Sequence, residues 1–195
     1  MAQYAYPISD ISLSNWGTFW SKVDEEPYSD DDYSGSSVGV DGAYAIALLG
    51  SLTDPVVHTG HVLRVRVKDH QNLSGEFRYE LLQGSTIIHA IKHIHPTGGY
   101  EEYSFTLSEA EAANITDYTN LRVRVKAVDV DPTSHFRVSW VRFQVPDISK
   151  VQNLKVKVSG VWTPVVAVKA KVSGAWVGVK VSARVNGEWK LIDEN

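Results

Sequence analysis

Cysteine is absent from this 195-residue chain, and methionine occurs once, as Met1. Disulfides, zinc–thiolate sites, iron–sulfur clusters and a cysteine nucleophile are therefore excluded. Stability must come from packing and backbone pairing. Long apolar runs are missing as well. None approaches the roughly 18 residues that span a bilayer, so membrane insertion is not expected. Residues 1–10 lack the basic and apolar regions of a signal peptide. There is no Ser-x-x-Lys pair and no Gly-rich phosphate loop. No pair of carboxylates stands out, and the chain is expected not to be an enzyme.

Positive charge is scarce, and unevenly so. The net charge is −4. Residues 1–150 hold 12 Lys+Arg against 20 Asp+Glu, a net of −8, whereas residues 151–195 hold 7 against 3, a net of +4. A charge step of this kind marks a boundary near residue 150. An acidic main body argues against nucleic acid as a partner. What the chain has in quantity is aromatics: six Trp, nine Tyr and five Phe.

Three of the six Trp belong to a repeat. Lys157-Val158-Ser159-Gly160-Val161-Trp162 is followed by Lys171-Val172-Ser173-Gly174-Ala175-Trp176 and Arg184-Val185-Asn186-Gly187-Glu188-Trp189, with Trp spacings of 14 and 13. Ser-Gly and Asn-Gly suit two-residue hairpin turns, because Gly takes positive φ at little cost. Alternating Val and Lys between the turns is strand periodicity. The repeat predicts a small β-hairpin meander. Three short hairpins bury little by themselves, so Trp162, Trp176 and Trp189 are candidate docking anchors against a neighbouring subunit.

The first 150 residues show seven strand-like segments, at 38–49, 61–68, 76–82, 86–95, 100–107, 121–128 and 136–145. Leu63, Val65 and Val67 share one face, as do Phe77, Tyr79 and Leu81. Ser108 with Glu111 forms a capping-box pattern for one short helix ending near Asn114. The fold class is all-β: a jelly-roll-like β-sandwich at 1–146 with one short helix, a connector at 147–152 and the hairpin module at 153–195. Leu-Arg-Val-Arg-Val-Lys occurs twice, at 63–68 and 121–126. Paired side by side, the two cationic faces would repel. They are expected to lie apart or to face carboxylates.

Several clusters can bind something. Asp24, Glu25, Glu26, Asp30, Asp31 and Asp32 place six carboxylates in nine residues. They need solvent or a cation, which makes Asp30, Asp31 and Asp32 candidate ligands for a structural Ca²⁺, although the spacing is not that of an EF-hand. His93 and His95, two apart on a strand that Pro96 ends, share a face and can chelate a transition metal. No other cofactor is expected. Tyr4, Tyr6, Trp16, Trp20, Tyr28 and Tyr33 crowd the first 33 residues. Of these, Trp16, Trp20, Tyr28 and Tyr33 are candidates for stacking on a sugar ring.

The chain also resembles a known group. Pro7 to Ser12, then Trp16, Phe19-Trp20, Asp24-Glu25 and Asp30-Asp31-Asp32-Tyr33 are similar to the start of a β-sandwich in tailed-bacteriophage virion proteins. Leu63 to Lys68, Tyr79 to Gly84, Tyr103 to Leu107, Ile115-Thr116-Asp117-Tyr118 and Leu121-Arg122-Val123 resemble its later strands. The Trp hairpins resemble C-terminal repeats of other phage structural proteins. The resemblance implies a carbohydrate-binding-like sandwich in a minor tail, tail-tip or capsid decoration protein. The implied location is the virion, and the implied partners are other virion proteins and further copies of the chain. The alternative function is binding of a host-surface glycan.

Overall fold

The computed structural model describes residues 2–71, 75–128 and 130–147, and the backbone of six short strands beyond them. The chain divides into two compact units, Met1–Asp147 and Ile148–Asn195.

Among its described residues the first unit contains ten strands: β1 (Ala2–Ala5), β2 (Pro7–Ser14), β3 (Ser34–Gly35), β4 (Tyr44–Leu49), β5 (Val62–Asp69), β6 (Glu76–Gln83), β7 (Thr86–Ile94), β8 (Glu101–Thr106), β9 (Leu121–Val128) and β10 (Phe136–Pro146). They form two antiparallel sheets. One runs β1-β10-β5-β8, with β3 also on β10, and the other runs β2-β4-β9-β6-β7. They are called here the β10 sheet and the β9 sheet. This is a jelly-roll-like β-sandwich.

The two copies of Leu-Arg-Val-Arg-Val-Lys explain the arrangement. Each lies inside a different sheet, β5 between β10 and β8, and β9 between β4 and β6. Period-two alternation sends Leu63, Val65 and Val67 from one sheet, and Leu121, Val123 and Val125 from the other, into one core where all six are buried. Burying each such side chain contributes about 1.5–3 kcal/mol. The intervening cations are left on the outer faces of two different sheets, so the two basic stripes do lie apart. Phe77, Tyr79 and Leu81 also face the core. The short helix α1 (Glu109–Ala113) has the expected capping box, with Ser108 Oγ accepting from the Glu111 N–H and Glu111 Oε2 accepting from the Ser108 N–H.

Two sequence expectations need correction. The strand expected over 38–49 is shortened to Tyr44–Leu49, because Gly39 and Gly42 turn the chain at φ of +64° and +76°. Nor are residues 1–33 without strands, since β1 and β2 form there. Bulges between Pro7 and Ser9 and between Asp10 and Ser12 break the alternation of β2. Ile8, Ile11 and Leu13 are consequently exposed on an edge strand, and the two-residue period is hard to see in the sequence.

Among its described residues the second unit contains six four-residue strands, β11 (Lys155–Val158), β12 (Val161–Pro164), β13 (Lys169–Val172), β14 (Ala175–Gly178), β15 (Ser182–Val185) and β16 (Glu188–Leu191). They pair as three separate two-stranded ladders. All three share one register, which sets Lys157, Lys171 and Arg184 opposite Trp162, Trp176 and Trp189. Residues 148–152 of the expected connector, the Ser-Gly and Asn-Gly pairs, and the side chains of the three Trp lie outside the described residues.

Gly39 and Gly42 are a matched test of the turn before β4. A Cβ on Gly39 would collide with the backbone of Pro132, whereas one on Gly42 would meet nothing. Gly39→Ala is expected to cost more than about 2 kcal/mol and Gly42→Ala about 1 kcal/mol, as read by urea denaturation. Equal losses would contradict this packing.

Candidate functional site

The two outer faces begin with the same cations and end differently. On the β10 sheet, the acidic segment 24–33 supplies countercharge. Asp30 accepts two hydrogen bonds from Arg66, from Nε at 2.8 Å and Nη2 at 2.7 Å, and a third from Ser139 Oγ at 2.9 Å. Arg66 lowers the pKa of the Asp30 carboxyl, chiefly by hydrogen bonding to the ionised form. Glu26 accepts from Arg142 at 3.1 Å and from the Tyr6 hydroxyl at 2.6 Å, and Lys22 pairs with Asp32 at 2.8 Å. Lys22 lowers the Asp32 carboxyl, while burial, then the neighbouring Asp32, raises that of Glu25.

Aromatic rings also cover the cations of this face, including Arg66 and Arg142 that are already paired with carboxylates. Arg66 lies over the Tyr28 ring, Lys68 over Tyr100, Arg137 over Tyr33, and Arg142 over both Tyr4 and Trp140. Tyr28 also packs against Trp140, with ring centroids 5.8 Å apart. Arg64, on the same strand, pairs with Glu102 at 2.9 Å.

Among the described residues, the outer face of the β9 sheet has no such cover. It carries a cleft of about 370 Å³ lined by Gly42, Tyr44, Arg78, Glu80, Arg124 and Lys126. Every lining side chain comes from an outward position on β4, β6 or β9. The register sets Lys126 between Tyr44 and Arg78, and Arg124 between Ile46 and Glu80. Arg124 Nε binds Glu80, and Arg78 Nε donates to Glu76 at 2.7 Å, so both guanidinium groups are held from one side. Tyr44 Oη lies 3.4 Å from Ser12 Oγ. Lys126 has no carboxylate partner among the described residues. The cleft offers fixed planar donors, one carboxylate and an aromatic wall.

The residues singled out in the sequence lie elsewhere. Trp16, 7% exposed, sits in the core against Phe19 and Phe77. Tyr28 and Tyr33 stack on arginines of the β10 sheet. Trp20, in a 3-10 turn at Trp20–Lys22, is partly exposed, and its backbone N–H is held by Asp10. These four do not form one flat sugar platform. Asp30 and Asp32 bind different protein cations and Asp31 is exposed, so the three do not converge on one point. Among the described residues no group of three His, Asp or Glu side chains is placed to hold a metal. His95 Nδ1 bonds the Gly75 carbonyl at 2.9 Å, and the His93 side chain lies outside the described residues. Residues 35–39 spell Gly-x-Ser-x-Gly, but Ser37 is exposed in a turn after a two-residue strand, with no helix following. That is not the strand-to-helix elbow that activates a serine.

Other histidines are built into the sandwich. His89 stacks on Phe105 and bonds Glu111. The Glu111 carboxyl is lowered to about 2 by its bonds to Ser108 and then to His89. His61 is buried with its Nε2 at 2.7 Å from the Tyr118 hydroxyl. The His70 and His135 rings lie 4.6 Å apart, and Arg137 Nε donates to His135 Nε2 at 3.1 Å.

No protein family matches the chain, and no curated protein does. Similar solved structures include the C-terminal CBM6 of a laminarinase, LamC, from Zobellia galactanivorans, with TM-score 0.43 and 12% identity over 74% of this chain and 100% of that one. Another is the xylan-binding module CBM15, with TM-score 0.46 and 11% identity over 74% of this chain and 90% of that one. A third is a CBM36 in complex with calcium and xylotriose, with TM-score 0.38 and 17% identity over 73% and 98%. The sandwich is defined by its own ladders, not by these likenesses.

Desolvation is the main cause that lowers the pKa of His61, His70 and His135, and nearby Arg137 adds to it for the last two. Folded-state values below the unfolded one mean that the unfolded chain binds more protons. The stability these neutral rings confer is present above about pH 6.5 and is lost as the pH falls below it. The melting temperature is expected to drop between pH 7.5 and 5.5, and a His70→Gln/His135→Gln variant should show a shallower slope. An identical slope would exclude these two rings as the cause.

Proposed function

We propose that the first unit is a non-catalytic saccharide-binding sandwich whose ligand lies across the β9-sheet cleft. One observation carries the reading. This face combines an open cleft, a Tyr44 wall, and guanidinium and carboxylate groups held rigid by each other and by β-sheet backbone. Sugar hydroxyls are met by such fixed planar groups, and a sugar ring packs on an aromatic side chain. The volume suits a small ligand, one or two rings of a chain. Among the described residues, Glu80 is the only carboxylate in the lining and is bound to Arg124, and no second carboxylate or histidine lines the cleft. Hydrolysis of a glycosidic bond needs two carboxyl groups flanking it, so the reading is binding rather than catalysis.

The expectation of a phage-particle subunit rests on sequence motifs that run through both the sandwich and the hairpins. Each ladder of the second unit is two-stranded, and a lone hairpin is marginal in water. Docking on a partner through Trp162, Trp176 and Trp189 fits that arrangement. It is compatible with a sandwich that presents a glycan site.

A glycan array on the intact protein followed by calorimetry tests the main reading. Tyr44→Ala should weaken the best saccharide at least tenfold without lowering the melting temperature by more than a few degrees. Tyr28→Ala, on the other sheet, should leave binding unchanged. Failure of every saccharide to bind, or dependence on Tyr28 rather than Tyr44, would overturn it.

A further inference from the structure

The repeated hexapeptide provides an internal control for charge. On β5 each cation is engaged: Arg64 by Glu102, Arg66 by Asp30, and Lys68 by the Tyr100 ring. On β9 the equivalent positions are not treated alike. Arg124 is paired with Glu80, but among the described residues Arg122 meets only the neutral side-chain oxygen of Asn120, at 3.3 Å. Lys126 has no such partner among the described residues.

The register makes the position of Lys126 unusual. It lies directly opposite Arg78 on β6, with Tyr44 opposite on its other side. Like charges directly opposite in a ladder destabilise it. Glu76 takes the Nε of Arg78 along its own strand and leaves Lys126 uncompensated. Among the described residues the cleft is thus lined by three cations and one carboxylate, in a segment (residues 1–150) whose net charge is −8. The surplus acid is spent on the other sheet, in the 24–33 segment. A cation surplus in an otherwise acidic body, confined to a cleft with an aromatic wall, is an anion site of small dimensions.

We infer that the cleft takes an anionic saccharide, a pyranose bearing a carboxylate or a sulfate, with Lys126 meeting the anion. Tyr44 packs on the ring, and the Arg124–Glu80 pair meets hydroxyls. The inference rests on the saccharide reading of the cleft and adds its substrate class.

The test is calorimetry on the full chain with four probes: trigalacturonate, a sulfated galactan oligosaccharide, neutral xylohexaose and single-stranded oligo-dT. At least one acidic sugar should bind tenfold or more tightly than xylohexaose, and which one binds identifies the anion. Lys126→Met should remove that preference, Lys126→Arg should retain it, and melting curves should show both variants folded. If xylohexaose binds as well as the acidic sugars and Lys126→Met changes nothing, the anionic class is overturned while the saccharide reading stands. If no sugar binds, both fall. If oligo-dT binds as tightly as the acidic sugar with the same Lys126 dependence, the cleft is a general polyanion site and the inference is overturned.

Discussion

Burying Leu-x-Val-x-Val on one side of a strand forces the intervening residues onto the other, and in this chain those residues are cations. The same hexapeptide does this in both sheets of the sandwich. The core gains six aliphatic side chains, and each outer face is left with two arginines and a lysine. Most of the surface architecture of the first unit is a response to that constraint.

The two responses differ because their countercharge comes from different places. The β10 sheet receives the acidic segment 24–33, anchored by Asp30 on Arg66 and packed by tyrosines over the guanidinium planes. Two of the three carboxylates that look in the sequence like metal ligands, Asp30 and Asp32, are thereby paired with the protein's own cations. Among the described residues, the β9 sheet receives Glu80 and Glu76 from its own β6 strand. Its cleft is polar, and its described lining is positively biased. The proposed ligand site lies where a lysine of the described residues is left without a carboxylate partner beside a cleft.

Much of the sandwich was legible in the sequence. Clean alternation in 63–68, 77–81 and 121–126 showed which side chains face the core, and the Ser108–Glu111 pair marked the helix. β1 and β2 were not legible, because bulges in β2 break the two-residue period and leave Ile8, Ile11 and Leu13 outside. The candidate site was missed for a different reason. Tyr44, Arg78, Glu80, Arg124 and Lys126 come from three strands and converge only through register, which no local spacing encodes. The Trp and Tyr residues near the N-terminus drew attention by their density. In the fold, Trp16 is core, and Tyr28 and Tyr33 pack on arginines.

The central claim is that ligand is met by the β9-sheet face and not by the aromatic face of the β10 sheet. Mapping backbone amide shifts during titration of the intact protein with trigalacturonate tests it most directly. The account predicts that perturbed amides cluster around Gly42 to Ile46, Arg78 to Glu80 and Arg122 to Lys126, while those of Tyr28 to Tyr33, Arg64 to Lys68 and Arg137 to Arg142 stay in place. Perturbations centred on the acidic segment, or on the hairpins beyond residue 150, would contradict it.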